Sequence, residues 1–158
     1  MYEICSKTFL KREVKMRVLS LLSCVIVWFG LLSPMVSQAQ DKVIYHVDNA
    51  EVQATKMLRN VRNHLDVAPE TKISVVTHAD GIDFLMEGAK DKKNPSVDYA
   101  ALVSALKARG VNFIVCEITL KNRGIKKDAF ILDVDFTPSG VVLIGQLQSR
   151  EQYAYIKP

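Results

Sequence analysis

Three short runs rich in β-branched and apolar residues recur along this chain: residues 42–47 (KVIYHV), 72–78 (KISVVTH) and 111–116 (VNFIVC). Each is short for a helix, has a β-favouring composition and ends at a polar or turn-forming sequence. Between them the apolar residues recur at helical spacing. Ala50, Ala54, Met57, Leu58, Val61 and Leu65 form one stripe, with Gln53, Lys56, Arg59 and Arg62 on the other side; Tyr99, Leu102, Val103 and Leu106 form a second stripe. Buried strands alternating with amphipathic helices imply a parallel sheet covered on both faces. The expected fold is therefore α/β: a single three-layer α/β/α domain with a mostly parallel sheet of about five strands.

The connecting signals fill in this frame. Asp48 with Glu51 three residues later resembles a capping box at the start of the first helix, which should run to about Leu65. Residues 82–87 read as a short helical piece, and 88–95 (GAKDKKNP) as a polar, basic loop, most simply a plain solvated one and otherwise the first candidate for a mobile segment. Ser96 is placed to cap the next helix and Gly110 to end it. Residues 118–123 read as a short helix or turn closed by Gly124, with another short helix around 126–131. Residues 132–137 (LDVDFT) alternate and so suggest a less buried fourth strand. The stretch VVLIGQLQ has strand-like composition, but Ser139 as a cap and Leu143/Leu147 at i, i+4 favour a helix, which is the expectation adopted. Residues 153–156 form the last expected strand.

The N-terminus has a different character. Lys7, Lys11, Arg12, Lys15 and Arg17 precede an apolar run, 18–32, and small residues stand at the −3 and −1 positions of a cut after Ala39. This is the pattern of a secretory signal peptide, with Met16 an alternative start. The division expected is a leader at 1–39 and a domain at 40–158. An uncleaved anchor is the competing reading, but the run falls short of the roughly 20 residues of a spanning helix. A lipoprotein site at Cys24 would place the large Leu22 where a small residue belongs. The localisation expected is periplasmic or secreted, with no membrane association after cleavage. The leader holds five of the 21 basic residues and two of the 17 acidic ones, so residues 40–158 are nearly neutral and carry no basic excess that points to nucleic acid. Cys5 and Cys24 leave with the leader. Cys116 is then the sole thiol and has no internal disulfide partner.

In a parallel sheet, ligands gather outside the carboxyl ends of the strands. His46, His78 and Cys116 lie near or at three such ends, and Asp48, Asp80, Glu117 and the 137–140 turn share that edge. A helical turn directly after Cys116 would stabilise its thiolate, and His78 or His46 could act as its base or as a polar neighbour. The plainer alternatives are a thiol that closes a buried strand and histidines that are hydrogen-bonded at strand ends; His64 is expected at the surface. A metal held by His46, His78 and Cys116 lacks the close spacing of a zinc motif, so no metal and no cofactor are expected. Fingerprints of dinucleotide enzymes, P-loop NTPases, α/β-hydrolases and zincins are absent from the sequence.

The segment Gly110-Val111-Asn112-Phe113-Ile114-Val115-Cys116, with Thr119-Leu120 and Gly124-Ile125, resembles the cysteine segment of the DsrE/DsrF-like proteins, a sulfur-relay family that includes TusD-type subunits. The ending is also similar: Pro138-Ser139-Gly140-Val141-Val142, then Gln148 and Tyr153-Ala154-Tyr155-Ile156-Lys157-Pro158. The tail is most like the stand-alone branch. The resemblance runs from Lys42 to Pro158. It implies that Cys116 accepts sulfur as a persulfide, that the chain forms a homo-oligomer (trimer or hexamer), and that a sulfur donor or acceptor protein is its partner. The relay members work in the cytoplasm, whereas the leader here points to export, so a periplasmic sulfur-handling role is expected in place of tRNA thiolation. The alternative of a different class is a non-catalytic oligomeric module that binds a ligand or partner at the same edge.

Overall fold

The computed structural model describes residues 40–132 and 134–158. The leader reading falls on residues 1–39 and lies outside them. Five strands form one sheet: β1 (Lys42–Asn49), β2 (Lys72–Asp80), β3 (Asn112–Cys116), β4 (Val134–Thr137) and β5 (Ala154–Ile156). Their order is β4-β3-β2-β1-β5, and every neighbouring pair is parallel. Four α-helices connect them: α1 (Ala50–Val67), α2 (Tyr99–Lys107), α3 (Glu117–Arg123) and α4 (Gly140–Glu151). This is the α/β architecture expected from the strand–helix alternation. Among the described residues, no helix is long and apolar enough to cross a membrane.

Side chains alternate across the sheet, so the inner strands β1, β2 and β3 feed two cores. On one face Val43, Tyr45, Val47, Ile73, Val75, Phe113 and Val115 pack with the buried stripes of α1 and α2. On the other, Ile44 and Val76 pack against Ile144 and Leu147 of α4 and against Tyr153. VVLIGQLQ is therefore helical, as its cap and i, i+4 leucines indicate: the Ser139 hydroxyl accepts from Val142 N–H, and Ile144 and Leu147 face the sheet. The fourth strand is an edge strand, which accounts for its alternation.

Several local expectations are corrected. The N-cap of α1 is Asn49, whose side chain accepts from Val52 N–H, and not Asp48. Asp48 pairs with Lys157 and Glu51 with Lys92, so no capping box forms. The N-cap of α2 is Asp98 and not Ser96. β1 and β2 each extend two residues past the apolar run, because a register shift between Val47 and Asn49 keeps the polar tips in the ladder. The helical pieces at Asp83–Leu85 and Lys127–Ala129 are single 3-10 turns. Residues 88–95 are held by the Asp91 carboxylate, which accepts from Lys93 N–H, Asn94 N–H and the Thr55 hydroxyl. His64 is half-buried, its Nδ1 3.1 Å from the Tyr45 hydroxyl.

Gln53, assigned by spacing to the polar side of α1, is buried. Its carbonyl oxygen accepts from the N–H groups of Asp48 and Asn49, and its amide donates to Pro158 O. One side chain thus satisfies the bend from β1 into α1 and fastens the last residues of the chain. Gln53→Leu keeps the volume but leaves two backbone donors without partners, so a loss of about 2 kcal/mol or more in a urea melt is expected.

Candidate functional site

Cys116 is the last residue of β3 and the N-cap of α3. It sits where the chain turns from extended backbone into helix, and the first amide groups of that helix have no intrahelical acceptor. The glycine at position 140 brings a second helix start to the same point. A Cβ on Gly140 would lie 3.3 Å from Thr77 O and 3.4 Å from Cys116 Cβ, so the absence of a side chain is what lets α4 begin this close to the thiol.

The thiol is buried, at 4% exposure. Burial by itself raises its pKa. The N–H of Gly140, the N–H and hydroxyl of Thr119 and the N–H of Ile118 all favour the thiolate and outweigh burial, so the net pKa is below the ordinary thiol value. Thr119 also joins the cysteine to the tip of β2, where its Oγ1 accepts from Ala79 N–H at 3.0 Å. Ala79 has a positive φ of 49°, unusual for a residue with a side chain. That turn is held by Gly81 N–H donating to His78 O and by the Arg123 guanidinium, which reaches Ala79 O and, at 2.6 Å, Asp83.

His46 and His78 project on the same face of the sheet as Cys116. The register pairs Val76 with Ile114 and Thr77 with Val115, so His78 stands one step past the last pair, beside Cys116. The structure brings the two histidines together, their Nε2 atoms 2.7 Å apart, and adds the Tyr155 hydroxyl 2.6 Å from His46 Nδ1. Among the described residues neither imidazole is hydrogen-bonded to Cys116. Burial lowers the His46 pKa, and the proximity of His78 lowers it further, while Asp48 opposes both. The hydrogen bond from Lys157 holds the Asp48 carboxyl below its usual range. Asp80 and Glu117 are paired elsewhere on the edge, with Arg123 and Lys127 respectively. Among the described residues, no set of three or more His, Cys, Asp or Glu side chains converges as metal ligands.

Tyr155 and Thr119 belong to the site although residue type gave them no role, and Gly140, in the 137–140 turn expected on this edge, belongs to it too. Thr119 had a readable signal, since a hydroxyl three residues after an N-cap faces back to the cap. Tyr155 had none, because it arrives through pairing of β5 with β1, 109 residues apart from His46. A separate cavity of about 320 Å³ opens at the carboxyl ends of β1 and β2, lined by Asn49, Asp80, Asp83, Phe84, Lys92 and Tyr99 among others, and by none of Cys116, His46 and His78.

Two solved structures share this architecture. A protein of unknown function, MTH1491 from Methanobacterium thermoautotrophicum, is 31% identical and superposes with a TM-score of 0.66, the match covering 75% of this chain and 100% of that one. The ychN protein of E. coli superposes with a TM-score of 0.60 at 17% identity, over 75% of this chain and 99% of that one, which shows a shared fold alone. No functionally curated protein matches. The DsrE/DsrF-like family model matches residues 41–158, the whole of the sheet and its helices, and the chain belongs to that family.

Proposed function

We propose that this chain is an exported, homo-oligomeric sulfur carrier in which Cys116 accepts sulfane sulfur and holds it as a persulfide. The observation that carries the reading is the set of donors around Cys116: amides from two helix starts and the Thr119 hydroxyl favour the thiolate, the form that attacks sulfur. Family membership supports it in general terms, since these proteins are sulfur-relay related. Export is supported by the leader pattern at residues 1–39. An assembly is supported by the exposed Ile118, Val141 and Val142 beside the site, apolar side chains that a neighbouring subunit would cover. The implied partners are a sulfur donor and a sulfur acceptor.

Mass measurement of the peptide that contains residue 116, after exposure of the full chain to polysulfide, tests this and separates Cys116 from Cys5 and Cys24. One sulfur atom adds about 32 Da. The adduct is expected in the wild type and absent in Cys116→Ser; equal adducts in both, or none in either, would overturn the reading. A second reading, a non-catalytic binding module, is favoured by the low exposure of Cys116 and by the cavity that excludes it. It expects a thiol inert to alkylation in the folded protein and an unchanged oligomeric state in Cys116→Ser.

A further inference from the structure

With 4% of Cys116 exposed, a sulfur donor that reaches it without unfolding its surroundings must be small. What stands beside it is the imidazole pair. At an Nε2–Nε2 distance of 2.7 Å one proton lies between His46 and His78, because two facing N–H groups would repel. His46 Nδ1 is occupied by Tyr155. Three of the four ring nitrogens are therefore engaged, and among the described residues only His78 Nδ1 has no protein partner. The fixed ring angle turns that atom away from His46, and β3 with Cys116 lies on that side of β2.

The protonation states of the pair are coupled. When His46 donates through Nε2, neutral His78 carries its proton on Nδ1 and offers it outward, and the Tyr155 hydroxyl donates to His46 Nδ1. One added proton makes the pair a cation in which His78 Nδ1–H still points outward and His46 Nδ1–H donates to the Tyr155 oxygen. The other groups facing the pair are Asp48 on β1 and Lys157 after β5, which neutralise each other at 2.6 Å, Tyr155 on β5 and the Cys116 thiol on β3. The start of α4 (Gly140, Val141, Val142, Leu143) brings amides and no charged side chain.

We propose that His46, His78 and Tyr155 form the recognition site for a small inorganic sulfane-sulfur anion, of the thiosulfate or polysulfide class, next to Cys116. This rests on Cys116 being the acceptor proposed above. With thiosulfate, the thiolate attacks the outer sulfur. The Sγ–S bond forms, the S–S bond of the donor breaks, and its electron pair leaves on sulfite. Total charge is −3 before and after, and no oxidant is required. His78 Nδ1–H faces the sulfonate end and offsets the charge retained by the leaving group. Because burial and His78 hold the His46 pKa down, binding a dianion recruits a proton to His46, and binding strengthens as pH falls.

Two measurements on the full chain test this. The chain has three histidines, so imidazole nitrogen resonances of the Cys116→Ser protein titrated with thiosulfate report each ring. Saturable shifts at His46 and His78, absent at His64 and stronger at lower pH, are expected; no shift, equal shifts at all three rings, or a copurifying divalent metal on the pair would overturn the proposal. The second is the rate of thiosulfate-dependent mass gain on the peptide that contains Cys116, in wild type and in His78→Phe, with iodoacetamide alkylation of Cys116 as control. Loss of one charge-assisted contact predicts a rate about tenfold lower with alkylation unchanged. An equal mass-gain rate in His78→Phe sinks the anion site and leaves the acceptor role standing. Thiosulfate binding at the pair with no adduct from any donor sinks the acceptor role and leaves the anion site standing. The titration uses native histidines, so it stands even if His78→Phe fails to fold.

Discussion

Gly81→Ala should destabilise this protein by about 3 kcal/mol or more, which for a domain of this size lowers the melting temperature by roughly 10 °C. A Cβ at residue 81 would lie 2.1 Å from Val47 O, 2.5 Å from Val47 C and 2.8 Å from Asp48 Cα. All three atoms are backbone of β1, so no side-chain rotation relieves the overlap and the tips of β1 and β2 must separate. The same separation would pull His46 from His78, whose contact spans these two strands. Thermal unfolding followed by circular dichroism measures the first effect, and the imidazole resonances measure the second. Gly88→Ala is the control: its added Cβ meets nothing within 4 Å, although its φ of +72° makes a small cost of about 1 kcal/mol expected. A loss at Gly81 no larger than at Gly88 would show that the close approach of the two strands is not required.

Thr119→Val should slow alkylation of Cys116 about tenfold at neutral pH, through loss of one hydrogen bond to a charged group. The substitution keeps the shape of the side chain and removes one of the groups that favour the thiolate. It also removes the acceptor for Ala79 N–H, so a loss of about 1–3 kcal/mol in stability should accompany it. The two effects separate by pH. A thiol whose folded pKa is depressed contributes stability that is present above its unfolded value and is lost as pH falls through the folded one. The stability gap between wild type and Thr119→Val should therefore widen in alkaline solution, and the pH profile of alkylation should move upward. Thr119→Ser should restore both. An alkylation profile in Thr119→Val that overlays the wild type would show that the hydroxyl does not reach the sulfur.

The legibility of this chain differed by element for physical reasons. Residues 72–78 could be read as a buried strand because a parallel sheet covered on both faces leaves no polar alternation; its place between β1 and β3 came from the structure. The α4 helix was legible from Ser139 and the Leu143/Leu147 spacing despite its β-rich composition, since capping and periodicity are local. Caps were misread where two polar residues stood close together. Asn49 took the position assigned to Asp48, which is drawn away by Lys157, 109 residues distant, and Asp98 took the position assigned to Ser96 by accepting from Ala100 N–H. Gln53 failed on the same ground: its burial depends on where the end of the chain lies.

For the site, the sequence alone put Cys116, His46 and His78 on one edge of one sheet, because strand ends and side-chain alternation are properties of short segments. It also determined the α/β architecture and the family. Only the tertiary structure decided what those residues touch. The two imidazoles meet each other and Tyr155, and the thiol meets the amides of two helix starts, through the register of β1 with β2 and β5 and through the approach of α4 allowed by Gly140. Those contacts join segments from opposite ends of the chain, and local pattern carries no record of the distances between them.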